Sequence, residues 1–210
     1  MLTVLVTGAG RGLGFEFARQ YAAAGWRVIG TVRDAKAAAA LSALNAESHV
    51  VEVTDRDSVS RLAESLRGTP IDVLICNSGI RGRLDVRFGA LDYEEWERVL
   101  RVNVLGAAAV AEALVENVAA SGRKVVAMMS SRLGSIAESR GAEFAYASSK
   151  AALNAVMKAM SLTLASRGIT VVSLAPGWVR TDMGGPAAAL APEESIRGLR
   201  RVIEGLTLAD

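Results

Sequence analysis

Leu2 to Val6 is a short strand-like run, and Thr7-Gly8-Ala9-Gly10-Arg11-Gly12-Leu13-Gly14 follows it directly. A helical pattern then runs from about Leu13 to Ala24 and stops before Gly25, a natural C-terminal cap. Strand, glycine turn and helix in that order constrain the fold more than any other stretch of the chain. They form the first unit of a dinucleotide-binding fold. Glycines let the backbone approach a pyrophosphate, and the helix N-terminus offers it free N–H groups and partial positive charge. The glycines are spaced G-x-x-x-G-x-G, at Gly8, Gly12 and Gly14, rather than G-x-G-x-x-G. Glycine turns before helices are common, so it is the position after the first strand that makes the motif informative.

The alternation continues along the chain. Strand patterns cover Arg27 to Val32, His49 to Val53, Ile71 to Cys76, Val125 to Met129 and Ile169 to Leu174. Helical patterns cover Ala35 to Leu44, Asp55 to Arg67, Tyr93 to Ala119, Tyr146 to about Arg167, and Pro192 to Leu206. Six apolar strands joined through helices by short connections predict a parallel sheet covered on both faces, with ligand bound at the carboxyl ends of the strands. No repeat, low-complexity segment or linker interrupts the 210 residues. The expected architecture is α/β, a single doubly wound domain over residues 1–210.

Several function classes are excluded. The net charge is only +2 and the basic residues are scattered among acidic ones, so no stripe suits nucleic acid. The longest apolar run, Val104 to Ala111, ends at Glu112, far short of a membrane span. Met1 leads straight into strand residues with no basic segment, so no signal peptide is expected. One cysteine and one histidine leave no internal disulfide and no thiolate or imidazole zinc cage, so no metal site is expected. These features fit a cytoplasmic protein. Cys76, at a strand end, reads as packing, and His49 as structural or solvent-facing.

The second strand bears on the cofactor. A site for NAD usually ends this strand with an acidic residue that binds the ribose 2′-hydroxyl. Here Val32 is followed by Arg33, and Arg11 lies inside the glycine turn. Two guanidiniums near one ribose suit a 2′-phosphate, although two ordinary surface arginines would read the same way, and Asp34 blurs the charge pattern. NADP(H) is therefore favoured over NAD(H). Tyr146 and Lys150 lie four apart, one turn apart on a helix face. An ammonium near a phenol lowers its pKa and turns tyrosine into an acid able to release a proton near neutral pH. Asn103, among apolar neighbours in mid-helix, calls for a specific partner or a water.

These residues together resemble the short-chain dehydrogenase/reductase family along nearly the whole chain. The matching motifs are Thr7-Gly8-x-x-x-Gly12-Leu13-Gly14, Asn77-Ser78-Gly79, Asn103, Ser131, Tyr146-x-x-x-Lys150 and Pro176-Gly177, in the family's order. Ser130 to Ile136, Lys150 to Asn154 and Pro176 to Pro186 look like the C-factor and sniffer-type carbonyl reductases. The resemblance implies an NADPH-dependent oxidoreductase on a Rossmann fold that reduces an aldehyde or ketone to an alcohol. Tyr146 would be the proton donor, and Lys150 would lower its pKa and hold the nicotinamide ribose. Ser131 would bind the substrate oxygen, and Asn103 would hold a water linking Lys150 to solvent. Gly8, Arg11, Gly12, Leu13, Gly14 and Arg33 would line the phosphates, and Glu52, Val53, Asn77 and Gly79 the adenosine side. Pro176, Val179 and Thr181 would face the nicotinamide amide.

The chain also departs from the family. Glu52 stands for the usual Asp, Cys76 and Ser78 alter Asn-Asn-Ala-Gly, and no further strand pattern follows the last helix. The sixth strand is then expected to be a bare sheet edge, which proteins usually avoid. The resemblance implies a homodimer or homotetramer through the Tyr93 and Tyr146 helices. Arg81 to Leu91 and Trp178 to Leu190 should border a pocket for a small, largely apolar carbonyl, with mobile glycines in the second segment. Two other readings compete: an NADP(H)-binding regulator with little turnover on the same fold, and a serine hydrolase. The latter is disfavoured because neither Ser131 nor Ser148 sits in G-x-S-x-G.

Overall fold

Strands buried on both faces read as continuous apolar runs, and β1 (Thr3–Val6) is one, fully buried from end to end. The computed structural model describes residues 1–139 and 141–207. Within them β1, β2 (Arg27–Val32), β3 (Glu47–Val50), β4 (Val73–Cys76), β5 (Val125–Met129) and β6 (Thr170–Leu174) form one sheet in the order β3-β2-β1-β4-β5-β6. Every pairing is parallel. The chain winds outward from β1 to β3, returns to the centre at β4 and winds the other way. That reversal between β1 and β4 opens a crevice at the carboxyl ends of the strands.

The pleat divides the core into two layers. Val4, Val6, Val73, Ile75, Val125 and Ala127 face α1 (Gly12–Ala23), α2 (Ala35–Ser42) and α8 (Pro192–Gly205), and pack on Phe17, Tyr21, Leu41 and Ile196. Leu5, Leu74, Val126 and Met128 face α3 (Arg56–Ser65), α5 (Ala107–Ala113) and α7 (Phe144–Leu164), and meet Val59, Val110, Leu114 and Leu153. Asp side chains start three helices: Asp34 accepts from the Ala37 N–H, Asp55 from Asp57 and Asp92 from Glu95. Helix α1 has no such cap.

Two expectations need correction. The third strand runs Glu47–Val50, two residues earlier than His49 to Val53. Its ladder closes with Val51 N–H on the Val32 carbonyl, after which Glu52 turns back to accept from Thr54. His49 lies inside the strand and pairs with Glu47 at 2.8 Å. The single helix expected over Tyr93 to Ala119 is instead α4 (Tyr93–Leu100), a π-helical stretch (Arg101–Gly106), α5 and α6 (Val115–Ala119). Widened turns of this kind recur at functional sites, and this one carries Asn103. Among the described residues β6 is a sheet edge, as expected.

Candidate active site

The glycine turn is tied down on both sides. The Thr7 hydroxyl accepts from the N–H groups of Asn77 and Ser78, each at 2.9 Å. The Asn77 amide donates to the Thr7 carbonyl at 2.9 Å and to the Gly8 carbonyl at 3.4 Å. From the other side, Gly8 N–H reaches the Thr31 hydroxyl at 3.2 Å and Ala9 N–H the Thr31 carbonyl at 2.8 Å. Gly8 and Gly12 have φ of +66° and +56°, which L side chains rarely adopt. A Cβ on Gly14 would overlap the Gly8 carbonyl oxygen. The turn therefore folds tightly onto the start of α1, whose first N–H groups no side chain caps. A cradle of this form fits the pyrophosphate of a dinucleotide.

The other expected cofactor residues surround it. Gly10 packs against Val32 and Ala37, and both Arg11 and Arg33, just beyond β2, are exposed. Thr181 lies against Gly12, and its hydroxyl accepts from Gly184 N–H at 3.2 Å. Val179 is buried and bridges to Leu190, while the Pro176 carbonyl accepts from Ser195 at 2.7 Å. Val53 is buried against Gly106, and Glu52 is exposed beyond the strand end. Leu13 is half-buried in the first turn of α1.

The four polar residues of the second group come together where β5 meets α7. Lys150 is 4% exposed, and its Nζ donates to the Met129 carbonyl at 2.7 Å. Burial lowers its pKa to about 8. The same nitrogen lies 5.5 Å from the centroid of the Tyr146 ring. For Tyr146, burial raises the pKa and outweighs the lowering by a hydrogen bond from Ser131 and by the charge of Arg81. This corrects the expectation that Lys150 depresses it. The ammonium is held by a backbone carbonyl over the ring face, and desolvation of the phenol dominates.

Asn103 is 1% exposed and fully engaged: its Oδ1 accepts from Ile80 N–H and its Nδ2 donates to the Ile80 carbonyl, both at 2.8 Å. Its amide also donates to the Ser149 hydroxyl at 3.0 Å, and Ser149 in turn donates to the Tyr146 carbonyl at 2.7 Å. The partner expected for Asn103 is thus the backbone after Gly79, together with the helix of Tyr146. Ser131 caps a short turn by accepting from Leu133 N–H at 3.1 Å. Ser130 donates to Asn154 at 2.7 Å, and a Cβ on Gly134 would sit 2.8 Å from the Lys150 carbonyl carbon. Ser130, Gly134 and Asn154 therefore hold the Ser131 loop against α7.

Three features escaped the sequence reading. Ser149 joins Asn103 to α7, a link that only the packing of two helices reveals. Arg81 makes a bidentate ion pair with Glu143, 2.7 Å at both contacts, and donates to the Met183 carbonyl at 3.1 Å. Glu143 adopts φ +55° at the start of α7, three residues before Tyr146. Arg11 pairs with Asp182 at 2.7 Å. No local pattern marks either ion pair, since their partners lie 62 and 171 residues apart. Among the described residues no cluster of His, Cys, Asp and Glu could hold a metal ion, and no helix is long and apolar enough to cross a membrane.

Comparison with known proteins agrees with this geometry. A family model described as short chain dehydrogenase matches residues 2–190. C-signal of Myxococcus xanthus is 44% identical over 138 residues, covering 65% of this chain and 82% of that protein. The structure of NADPH-bound carbonyl reductase from chicken fatty liver superposes with a TM-score of 0.91 at 30% identity, covering 99% of this chain and 93% of that one. Carbonyl reductase Sniffer of D. melanogaster gives 0.90 at 30% identity, with the same coverage of 99% and 93%. The chain belongs to the short-chain dehydrogenase/reductase family.

Proposed function

We propose that this protein is an NADPH-dependent carbonyl reductase that converts an aldehyde or ketone to an alcohol, with Tyr146 as proton donor. The observation that carries the reading is the convergence of Tyr146, Ser131, Lys150 and Asn103 beside the glycine cradle. The nicotinamide group supplies hydride to the carbonyl carbon when bound. Negative charge then grows on the carbonyl oxygen, and hydroxyls of Ser131 and Tyr146 are the donors that meet it. A phenol whose pKa is raised is protonated at neutral pH, the state a proton donor needs. Lys150, buried with its ammonium on the Met129 carbonyl, holds a positive charge beneath the site. Asn103 fixes the loop after β4 and α7 relative to each other through Ile80 and Ser149.

Arg11 and Arg33 support NADP(H) over NAD(H), and the chicken carbonyl reductase carries NADPH. The single, buried Cys76, whose thiol burial pushes up to about 12, is compatible with a reducing cytoplasm. A homodimer or homotetramer belongs to the same reading. One observation favours a second reading, an NADP(H)-binding signalling protein with little turnover: the relative at 44% identity is named C-signal. Titration with NADPH and NADH, followed by a turnover screen over aldehydes and ketones, separates the two. NADPH binding with carbonyl-dependent oxidation is the expected result. Binding without turnover of any carbonyl favours the signalling protein, and binding of neither nucleotide ends both readings.

A further inference from the structure

Arg11 is the residue through which the glycine turn touches the loop after β6. Its guanidinium is held by the Asp182 carboxylate at 2.7 Å, although the two are 171 residues apart. Asp182 lies between Thr181, which packs against Gly12, and Met183, whose carbonyl accepts from Arg81. Among the described residues Arg11 is the one cation paired with Asp182, and Arg33 has no ion-pair partner.

We propose that Asp182 is a cofactor-specificity residue, whose carboxylate occupies the guanidinium that a ribose 2′-phosphate would otherwise take. This deepens the reading of the chain as an NADP(H) enzyme and rests on it. The Asp182 carboxylate takes the Arg11 Nη1 donor, and a phosphate that draws on the same donor must displace it. The pair is exposed, with 69% of the Arg11 side chain and 79% of the Asp182 side chain accessible, so its rupture costs little. Once Arg11 turns to a phosphate, its pair with Asp182 is broken, a cost borne only by the nucleotide that carries the 2′-phosphate. Asp182 therefore weakens binding of the 2′-phosphorylated nucleotide and leaves its unphosphorylated counterpart nearly untouched. The structure thus sets against each other two features of one site: Arg11 and Arg33 favour NADP(H), and Asp182 moderates that preference.

The test is calorimetric titration of NADPH and NADH into the wild-type protein, Asp182→Asn, Arg11→Ala and the double variant. An exposed ion pair is worth up to about 1 kcal/mol, so Asp182→Asn should tighten NADPH by up to about fivefold. NADH should change by less than about twofold. In the Arg11→Ala background the gain from Asp182→Asn should vanish. Equal tightening of both nucleotides would show a general repulsion from the pyrophosphate and overturn the proposal. A gain that survives Arg11→Ala, or no gain at all, would do the same while leaving NADPH binding intact. A wild-type protein that binds neither nucleotide would instead remove the functional reading beneath it.

Discussion

Gly134→Ala should uncouple the Ser131 loop from α7. A Cβ at this position would lie 2.8 Å from the Lys150 carbonyl carbon and 3.0 Å from both the Lys150 Cβ and the Asn154 amide nitrogen. Ordinary van der Waals contact begins near 3.4 Å, so the loop must retreat by about 0.6 Å, the difference from 2.8 Å. The Lys150 carbonyl carbon belongs to the α7 backbone and cannot rotate away. The movement therefore falls on Ser131, three residues upstream, and lengthens its approach to the Tyr146 hydroxyl. Overpacking of this kind costs about 1–3 kcal/mol. In a domain of this size that corresponds to a fall in Tm of about 2–12 °C. A displacement approaching 1 Å can cost about 10²-fold in rate, so kcat should fall at least about tenfold. NADPH affinity should change by less than about twofold, because the glycine turn lies elsewhere. Thermal unfolding, steady-state turnover and nucleotide titration read the three quantities. Gly198→Ala is the control: a Cβ there meets nothing within 4 Å on α8, so it should leave Tm unchanged or raise it. A Gly134→Ala protein with wild-type Tm and wild-type kcat would refute the argument.

Arg81→Met removes a cation that lowers the Tyr146 pKa and leaves Glu143, which raises it, without its partner. The alkaline limb of the pH–rate profile for carbonyl reduction should move to higher pH, and a limb that stays or moves down contradicts the electrostatic link. Lys150 has a folded-state pKa of about 8 against 10.5 for the free side chain, caused by burial. Between those values the unfolded chain binds more protons, so stability should rise with pH. The stability of Lys150→Met relative to wild type, measured by denaturant titration, should be highest at pH 7 and shrink as pH approaches 10. A constant difference would show that the lysine titrates normally.

The fold was legible because several independent patterns agreed. Six apolar strands alternating with helical patterns, and the glycine turn after the first of them, each pointed to a doubly wound sheet, and local preferences rarely agree by accident. The boundary of β3 was less legible. Glu47 and Ser48 are not typical strand formers, and they pair only because the edge of β2 offers them partners. The π-helical stretch had a partial signal in Asn103, whose need for a partner was visible although the partner, the Ile80 backbone, was not.

Candidate residues for the site could be named from the sequence, but not their electrostatics. Tyr146 and Lys150 four apart implied a depressed phenol, whereas burial acts on both groups and pushes them in opposite directions. Burial depends on the layers packed above a helix, which spacing along it does not encode. Arg81 and Asp182 were read only as part of segments bordering the pocket, and Glu143 was not singled out, because ion pairs across 62 and 171 residues leave no local trace.

The most direct test of the account is Tyr146→Phe, with turnover and NADPH affinity measured on the same sample. The substitution keeps the ring over which the Lys150 ammonium lies and removes only the hydroxyl. The loss of kcat should be about 10²-fold or more, with NADPH binding nearly unchanged. Carbonyl reduction at the wild-type rate would contradict the central claim that this phenol delivers the proton.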